Sequence, residues 1–344
     1  MAITKRISRT ALQTLAHDDP IPPSLRKKIQ VHRNEIADIL RGENNRLLVI
    51  VGPCSAWPTE AVLEYAERLA PLASYYSTTL KIVMRVYTQK PRTTVGWAGA
   101  VVQPDPYAPP NILTGARTAR SMMREVATLG LPIADELLFT HKMRWVGDLL
   151  SWAAIGARSS EDHEHRVFAS SLDMPVGLKN PTSGDLQVAA NSVIAAHAPH
   201  TFYEHGYEVH TGGNSLAHLV LRGGAHGPNW RPRHVQEGVA HLNAAGIPHP
   251  AIVLDASHGN AVAKGAKDPR AQLRVARTIA RTRAHYSDYR TAVRGIMLES
   301  FIHEGSQKLA DHTCASIDRG GYSITDPCLS WEATAELLSH LARS

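Results

Sequence analysis

Eight short apolar runs recur along the 344 residues, most of them closing at or just before a polar or charged residue. They occupy 47–51, 80–86, 131–137, 153–158, 175–179, 217–222, 251–255 and 295–299. Uninterrupted apolar runs of this length suit strands buried on both faces, as in a parallel sheet. Helical patterns lie between several of them. Residues 59–73 set Val62, Ala66, Leu69 and Leu72 on one face behind Pro58, and 115–129 ends at Gly130. The segments 233–245, 269–286 and 331–343 follow the same period. Alternating strands and helices imply βαβ units, and eight of them imply a (β/α)8 TIM barrel. The expected division is an N-terminal helical extension over 1–45, with a basic amphipathic helix at 23–41, and a barrel over 46–344. An open doubly wound sheet is the alternative, and no GxGxxG or P-loop supports it. Two stretches exceed a minimal barrel. Residues 101–112 are Pro-rich and read as an ordered loop; 200–213, between the fifth and sixth strands, alternate Phe202, Tyr203, Tyr207 and Val209 and read as a short inserted hairpin.

Hydrophobic residues make up 43% of the chain and charged residues 20%, enough for a large core and too apolar for general disorder. No apolar run approaches the roughly 18 residues a membrane helix needs. The first twenty residues lack the continuous apolar core of a secretory signal. Three cysteines, Cys54, Cys314 and Cys328, are too few for a disulfide scaffold, so a cytoplasmic location is expected. The net charge is +6, yet only Arg26-Lys27-Lys28 and 274–283 are locally basic, and both suit a solvated helix face. Anionic metabolites are therefore the expected partners, with no nucleic acid and no membrane.

In a (β/α)8 barrel the active site is built at the C-terminal ends of the strands. Those ends carry two chemical sets. Cys54, His258, Glu299 and Asp326 offer a thiolate, an imidazole and two carboxylates, a mixture that suits one divalent transition metal such as Mn, Fe, Co or Zn. No local CxxC-type spacing supports them, and a lone cysteine is more often a buried hydrophobe. Their common placement at strand ends carries the argument. The second set is cationic: Arg85, Lys90, Arg92, Arg158, Lys179 and Arg222. Such groups are costly to desolvate without an anion, and the ordinary alternative is pairing with Asp135, Glu136 or Glu161. Three acids cannot neutralise six bases, so the excess points to phosphorylated, carboxylated substrates.

The segments LLVIVGPCS, KIVMRVYTQKPRTTVGW, SWAAIGARSSE, MPVGLKNPTSG, VLRGG, DASHGN, MLES with EGSQ, and SITDPCLSWE together resemble the type I 3-deoxy-7-phosphoheptulonate (DAHP) synthases, over residues 25–340. The resemblance implies a metal-dependent barrel enzyme that opens the shikimate pathway by condensing phosphoenolpyruvate with erythrose 4-phosphate and releasing phosphate. It implies metal ligation by Cys54, His258, Glu299 and Asp326. It places phosphoenolpyruvate against Arg85, Lys90, Arg158, Lys179 and Arg222, and the aldose phosphate against Arg92 and Thr93, with Glu136 beside the substrates. A homo-oligomer, dimer or tetramer, is expected.

Three positions depart from the family pattern. Ala98 stands where a lysine usually follows GW, the loop 105–112 lacks the usual Ser-Phe pair, and 200–213 is several residues shorter than the family's hairpin. That hairpin helps form the aromatic-amino-acid inhibitor site of regulated members, so weakened inhibition is expected. Chemically, Lys90 is the candidate general acid, with His258 second because a metal-bound imidazole titrates poorly. Two other readings are a related phosphoenolpyruvate-condensing synthase of secondary metabolism with a different aldose acceptor, and a non-catalytic regulatory subunit of the same fold. The complete metal and cation sets argue against the latter.

Overall fold

The computed structural model describes residues 7, 10–92, 95–204, 206–263 and 265–344. Eight strands, each continuously or almost continuously buried, form the centre: β1 (Leu47–Gly52), β2 (Leu80–Arg85), β3 (Ile133–Glu136), β4 (Leu150–Ile155), β5 (Val176–Lys179), β6 (Ala217–Leu221), β7 (Ile252–Asp255) and β8 (Val293–Glu299). Each pairs in parallel with its sequence neighbours, and β8 closes on β1 through Leu48↔Gly295 to Gly52↔Glu299. The result is a closed (β/α)8 barrel, which excludes the open sheet. The outer layer is built by α2 (Thr59–Tyr75), α3 (Ile112–Thr128), α4 (His163–Ser170), α5 (Leu186–His197), α6 (Pro232–Ala244), α7 (Ala271–His285) and α8 (Trp331–Leu341). Only short helical turns over 140–149 join β3 to β4.

The fourth strand differs from its expected span of 153–158: β4 begins at Leu150 and stops at Ile155, leaving Arg158 in the following loop. Gly156 marks the stop, where a Cβ would lie 2.7 Å from Glu136 Oε1. The hairpin expected at 200–213 is present, with Thr201–Glu204 antiparallel to Tyr207–His210. The N-terminal helix α1 (Pro23–Arg41) begins with proline at its first position, where no intrahelical donor is lost. Its Ile36, Ile39 and Leu40 join Leu48, Val83, Trp152, Val220 and Met297 in the barrel's inner core. Arg33 donates to the carbonyls of Gly147 and Leu150, at the entry to β4, so α1 closes the N-terminal end of the barrel. Buried Arg120 of α3 ties the preceding residues in place, bonding Asp148 through both oxygens (2.7 and 2.9 Å) and the Asp19 carbonyl (2.6 and 3.0 Å). The opposite end of the barrel is left open for chemistry.

Inside the barrel, Trp152 Nε1 donates to His218 Nε2 at 3.1 Å, which leaves His218 Nδ1 to donate to the Leu216 carbonyl at 2.8 Å. Both ring nitrogens are satisfied only when the imidazole is neutral. Burial pushes its pKa down to about 4. The unfolded chain therefore takes up a proton near pH 6.5 that the folded chain refuses until about pH 4. Stability is full above pH 6.5 and falls as the pH drops toward 4, by about 2 kcal/mol between pH 7.5 and 5 from this residue alone. Urea unfolding of wild type and His218→Asn at both pH values checks this. The pH-dependent loss should shrink by about that amount in the variant, and an unchanged loss contradicts it.

Candidate active site at the C-terminal ends of the strands

Parallel strands bring all eight C-terminal ends to one face, and a cleft of about 300 Å³ opens there. Arg85, Lys90, Arg92, Glu136, Arg158, Lys179, Arg222, His258 and Asp326 all line it. Cys54 and Glu299 lie buried beside it, and Thr93 lies outside the described residues. The Gly52↔Glu299 pairing sets the turn 53–55 next to the end of β8. Only glycine suits position 52, since a Cβ there would sit 2.6 Å from the Arg85 carbonyl.

Cys54, Glu299 and Asp326 each present one ligand atom, all within 4.8 Å of one another, so the three can hold a metal ion. His258 Nε2 lies 3.5 Å from Glu299 Oε1. The imidazole is held from behind, with Nδ1 2.7 Å from both Asp255 Oδ2 and Ser257 Oγ. Its backbone has φ +50°, a left-handed conformation uncommon outside glycine and costly enough to be kept where the surroundings enforce it. Burial opposes ionisation of Asp255, but His258 and Lys179 hold it well below the carboxylate range. Burial likewise opposes ionisation of Asp326, yet Lys267 and His258 bring it to about 2. Burial and Glu299 push the Cys54 thiol up, against Lys90 and Arg85. A cation bound there would favour the thiolate.

The cations gather around one aromatic ring. Arg85 Cζ lies 4.1 Å, Lys179 Nζ 5.2 Å and Lys90 Nζ 6.0 Å from the centroid of buried Tyr87. Arg85 is fully buried and donates to Glu299 Oε1 at 3.0 Å and the Pro53 carbonyl at 3.2 Å, while its Nη1 has no hydrogen-bond partner among the described residues. Lys179 donates to Glu136 Oε2 at 2.7 Å. Burial would raise the Glu136 pKa, but Lys179 and Lys90 bring it to about 2. Asp135 neutralises none of the cleft cations: it pairs with Lys142 at 2.7 Å and accepts from Thr88. Glu161 lies exposed. Seven Lys and Arg side chains line the cleft against the carboxylates of Glu136 and Asp326, with Glu299 buried beside it, so cations are in excess there.

Three buried asparagines tie the loops after β5, β6 and β7. Asn180 Oδ1 accepts from the Arg222 N–H (2.8 Å) and Asn229 Nδ2 (3.0 Å), and Asn229 N–H donates to Asn260 Oδ1 (2.8 Å). Asn260 in turn donates to the Asp255 carbonyl at 2.8 Å. At the centre of this network Gly223 has φ +74°, and a Cβ there would meet the Gly259 carbonyl carbon at 2.3 Å.

Sequence reasoning missed Tyr87, Thr325 and Lys267, which also line the cleft. Tyr87 was findable, because it lies two residues past Arg85 and residues two apart in an extended segment share a face. Thr325 shares a 2.9 Å hydrogen bond with Ser55, between two loops with no periodic signal.

Cys328 adds a redox liability. The Cys54 N–H donates to Cys328 Sγ at 3.4 Å, both cysteines are buried, and Cys314 is exposed. We predict that air oxidation of the metal-free chain yields a reversible Cys54–Cys328 disulfide with loss of activity. Peptide mapping under non-reducing conditions checks this; a bridge to Cys314, or none, contradicts it.

The comparisons with known proteins agree with one another. The model of the DAHP synthetase I family matches residues 26–339. A phospho-2-dehydro-3-deoxyheptonate aldolase of Corynebacterium glutamicum is 41% identical over 334 residues, covering 94% of this chain and 88% of the relative. The Tyr-sensitive phospho-2-dehydro-3-deoxyheptonate aldolase of Escherichia coli is 41% identical over 327 residues, covering 93% of this chain and 89% of that one. A solved phospho-2-dehydro-3-deoxyheptonate aldolase from Francisella tularensis superposes with a TM-score of 0.92 at 35% identity, covering 99% of this chain and 98% of its own.

Proposed function

The chain belongs to the DAHP synthetase I family, and from that premise we propose how its cleft condenses phosphoenolpyruvate with erythrose 4-phosphate and releases phosphate, the first step of the shikimate pathway. The observation that carries this reading is the meeting, in one cleft, of an excess of cations with a thiol, an imidazole and two carboxylates. That donor set fits a divalent transition metal, Mn, Fe, Co or Zn, held by Cys54, His258, Glu299 and Asp326. Bound there, the metal supplies Lewis-acid polarisation of an aldehyde oxygen.

The chain's own residues do the rest. Arg85, Lys90, Arg158, Lys179 and Arg222 bind the phosphate and carboxylate of phosphoenolpyruvate, with Arg85 Nη1 as a donor not yet used. Arg92, with Thr93, takes the phosphate of the acceptor. So held, C3 of phosphoenolpyruvate attacks the aldehyde carbon. Lys90 is the proton donor to the alkoxide that forms. Although burial opposes its charge, Cys54 and Glu299 raise its pKa above the ordinary lysine value, so the proton is present at neutral pH. Water then adds to C2, and the hemiketal phosphate loses inorganic phosphate by C–O cleavage. Glu136, ionised throughout, keeps Lys179 oriented and can accept a hydrogen bond from that water.

No helix among the described residues is long and apolar enough to cross a membrane. We read the enzyme as cytoplasmic and as a homo-oligomer, dimer or tetramer; the exposed aromatics Phe139, Tyr203 and Tyr207 support association of subunits.

The test is kcat/KM on erythrose 4-phosphate, ribose 5-phosphate and arabinose 5-phosphate. Erythrose 4-phosphate should be the best acceptor, and a higher value on either pentose phosphate overturns that assignment. Ala98 enters here, because its carbonyl accepts the Lys90 N–H at 3.0 Å and so sets residue 98 beside the catalytic loop. A charged hydrogen bond is worth about 1.5–3 kcal/mol, so Ala98→Lys should raise kcat/KM on erythrose 4-phosphate by about ten- to a hundredfold. Unchanged values on all three sugars would show that position 98 is irrelevant.

A further inference from the structure

Lys267 ends a small hairpin in which Val262–Ala263 pairs with Ala266–Lys267. The hairpin follows the turn that carries His258, and its outer residues stand in solvent. From its rim the Lys267 ammonium reaches Asp326 Oδ2 and forms an ion pair. Among the described residues no other cation pairs with that carboxylate. The same carboxylate stands within 4.8 Å of the ligand atoms of Cys54 and Glu299. One anionic group is therefore addressed by two cations, an ammonium and, on the reading above, a metal.

The pair has little structural value. Its side chains are 39% and 36% exposed, and exposed ion pairs contribute little to folding. A single positive charge on one oxygen of a carboxylate repels a divalent ion approaching the other, strongly at this range. Lysine has a long flexible stem, and position 267 is at the edge of the cleft that Arg92 and Arg158 also line. An ammonium that leaves Asp326 therefore stays within the cleft that Arg92, the cation proposed for the acceptor's phosphate, also lines.

We infer that Lys267 is a built-in competitor for the metal position, and that once displaced it becomes a cation for the acceptor's phosphate. The inference rests on the metal reading of Cys54, His258, Glu299 and Asp326. It makes Lys267 a positioning residue that links metal loading to acceptor binding, with opposite signs for the two. Removing it should tighten the metal and weaken the acceptor, a pattern that damage to the site would not produce.

The test titrates Co2+ into the chelated full-length protein. Binding is followed by the thiolate-to-cobalt absorption that Cys54→Ser should remove. Lys267→Met should bind Co2+ about tenfold more tightly than wild type, and Lys267→Arg should stay close to wild type. In the loaded enzyme, Lys267→Met should raise KM for erythrose 4-phosphate about tenfold and leave KM for phosphoenolpyruvate unchanged. Equal or weaker Co2+ affinity in Lys267→Met, with the absorption present, overturns the competitor role and leaves the metal reading standing. Tighter Co2+ with an unchanged acceptor KM overturns the acceptor half. Saturating Co2+ that produces no absorption in wild type overturns the metal reading, and this inference with it.

Discussion

Alanine at Cys54, His258 or Glu299 is expected to abolish turnover, a loss of at least about a thousandfold, in a chain that remains folded. On the proposed reading each residue supplies one ligand atom to the metal: those of Cys54 and Glu299 lie within 4.8 Å of each other and of Asp326, and His258 Nε2 lies 3.5 Å from Glu299 Oε1. Cys54 and His258 sit in loops past β1 and β7, so their loss leaves the barrel's hydrogen bonds intact. Glu299 needs more care. It accepts from buried Arg85, and Glu299→Ala would leave that guanidinium unpaired, at a cost of about 3–5 kcal/mol. Glu299→Gln keeps an acceptor for Arg85 and isolates the metal role. The measurement is kcat beside a circular-dichroism melting curve, with chelated wild type as the reference. Full activity in any metal-free sample would remove the metal from the mechanism.

Lys90→Met is expected to lower kcat by about 10²–10⁴-fold, the range for loss of a positioned general acid. Methionine keeps the length and apolar stem of lysine but has no proton to give. The Lys90 ammonium sits 2.8 Å from the Cys54 carbonyl and 3.1 Å from its Sγ, at the seam between the metal group and the cations around Tyr87. On the proposed reading, a proton donor at that seam meets both substrates. Lys90→Arg separates its two roles: arginine restores the charge that binds phosphoenolpyruvate but holds its proton too tightly to transfer it. KM for phosphoenolpyruvate should recover in Lys90→Arg while kcat stays low. Wild-type kcat in Lys90→Met would move the acid role to another residue.

Much of this architecture is legible in the sequence for a specific reason. Strands buried on both faces must be apolar throughout, so Leu47–Gly52 and Val176–Lys179 announce themselves as runs. Their ends must carry whatever chemistry the barrel does, and the structure gathers Arg85, Lys179, Asp255 and Glu299 there. Legibility fails where no period exists. Helix α5 is apolar around much of its circumference and shows no clear stripe, and α4 is only eight residues long. The link from β3 to β4 has short turns where the pattern of βαβ units anticipates a helix. Lys267 is the extreme case. Its hairpin is made of small and polar residues, and only the fold brings it to Asp326, far along the chain. Pairings of that kind depend on closure of the barrel, which no local pattern encodes.

The most direct measurement is the steady-state loss of phosphoenolpyruvate, with phosphate release followed in parallel, in the presence and absence of erythrose 4-phosphate. The geometry predicts loss only when both the acceptor and the metal are present, with one phosphate released per phosphoenolpyruvate consumed. Consumption that proceeds without erythrose 4-phosphate, or that survives chelation undiminished, would contradict it.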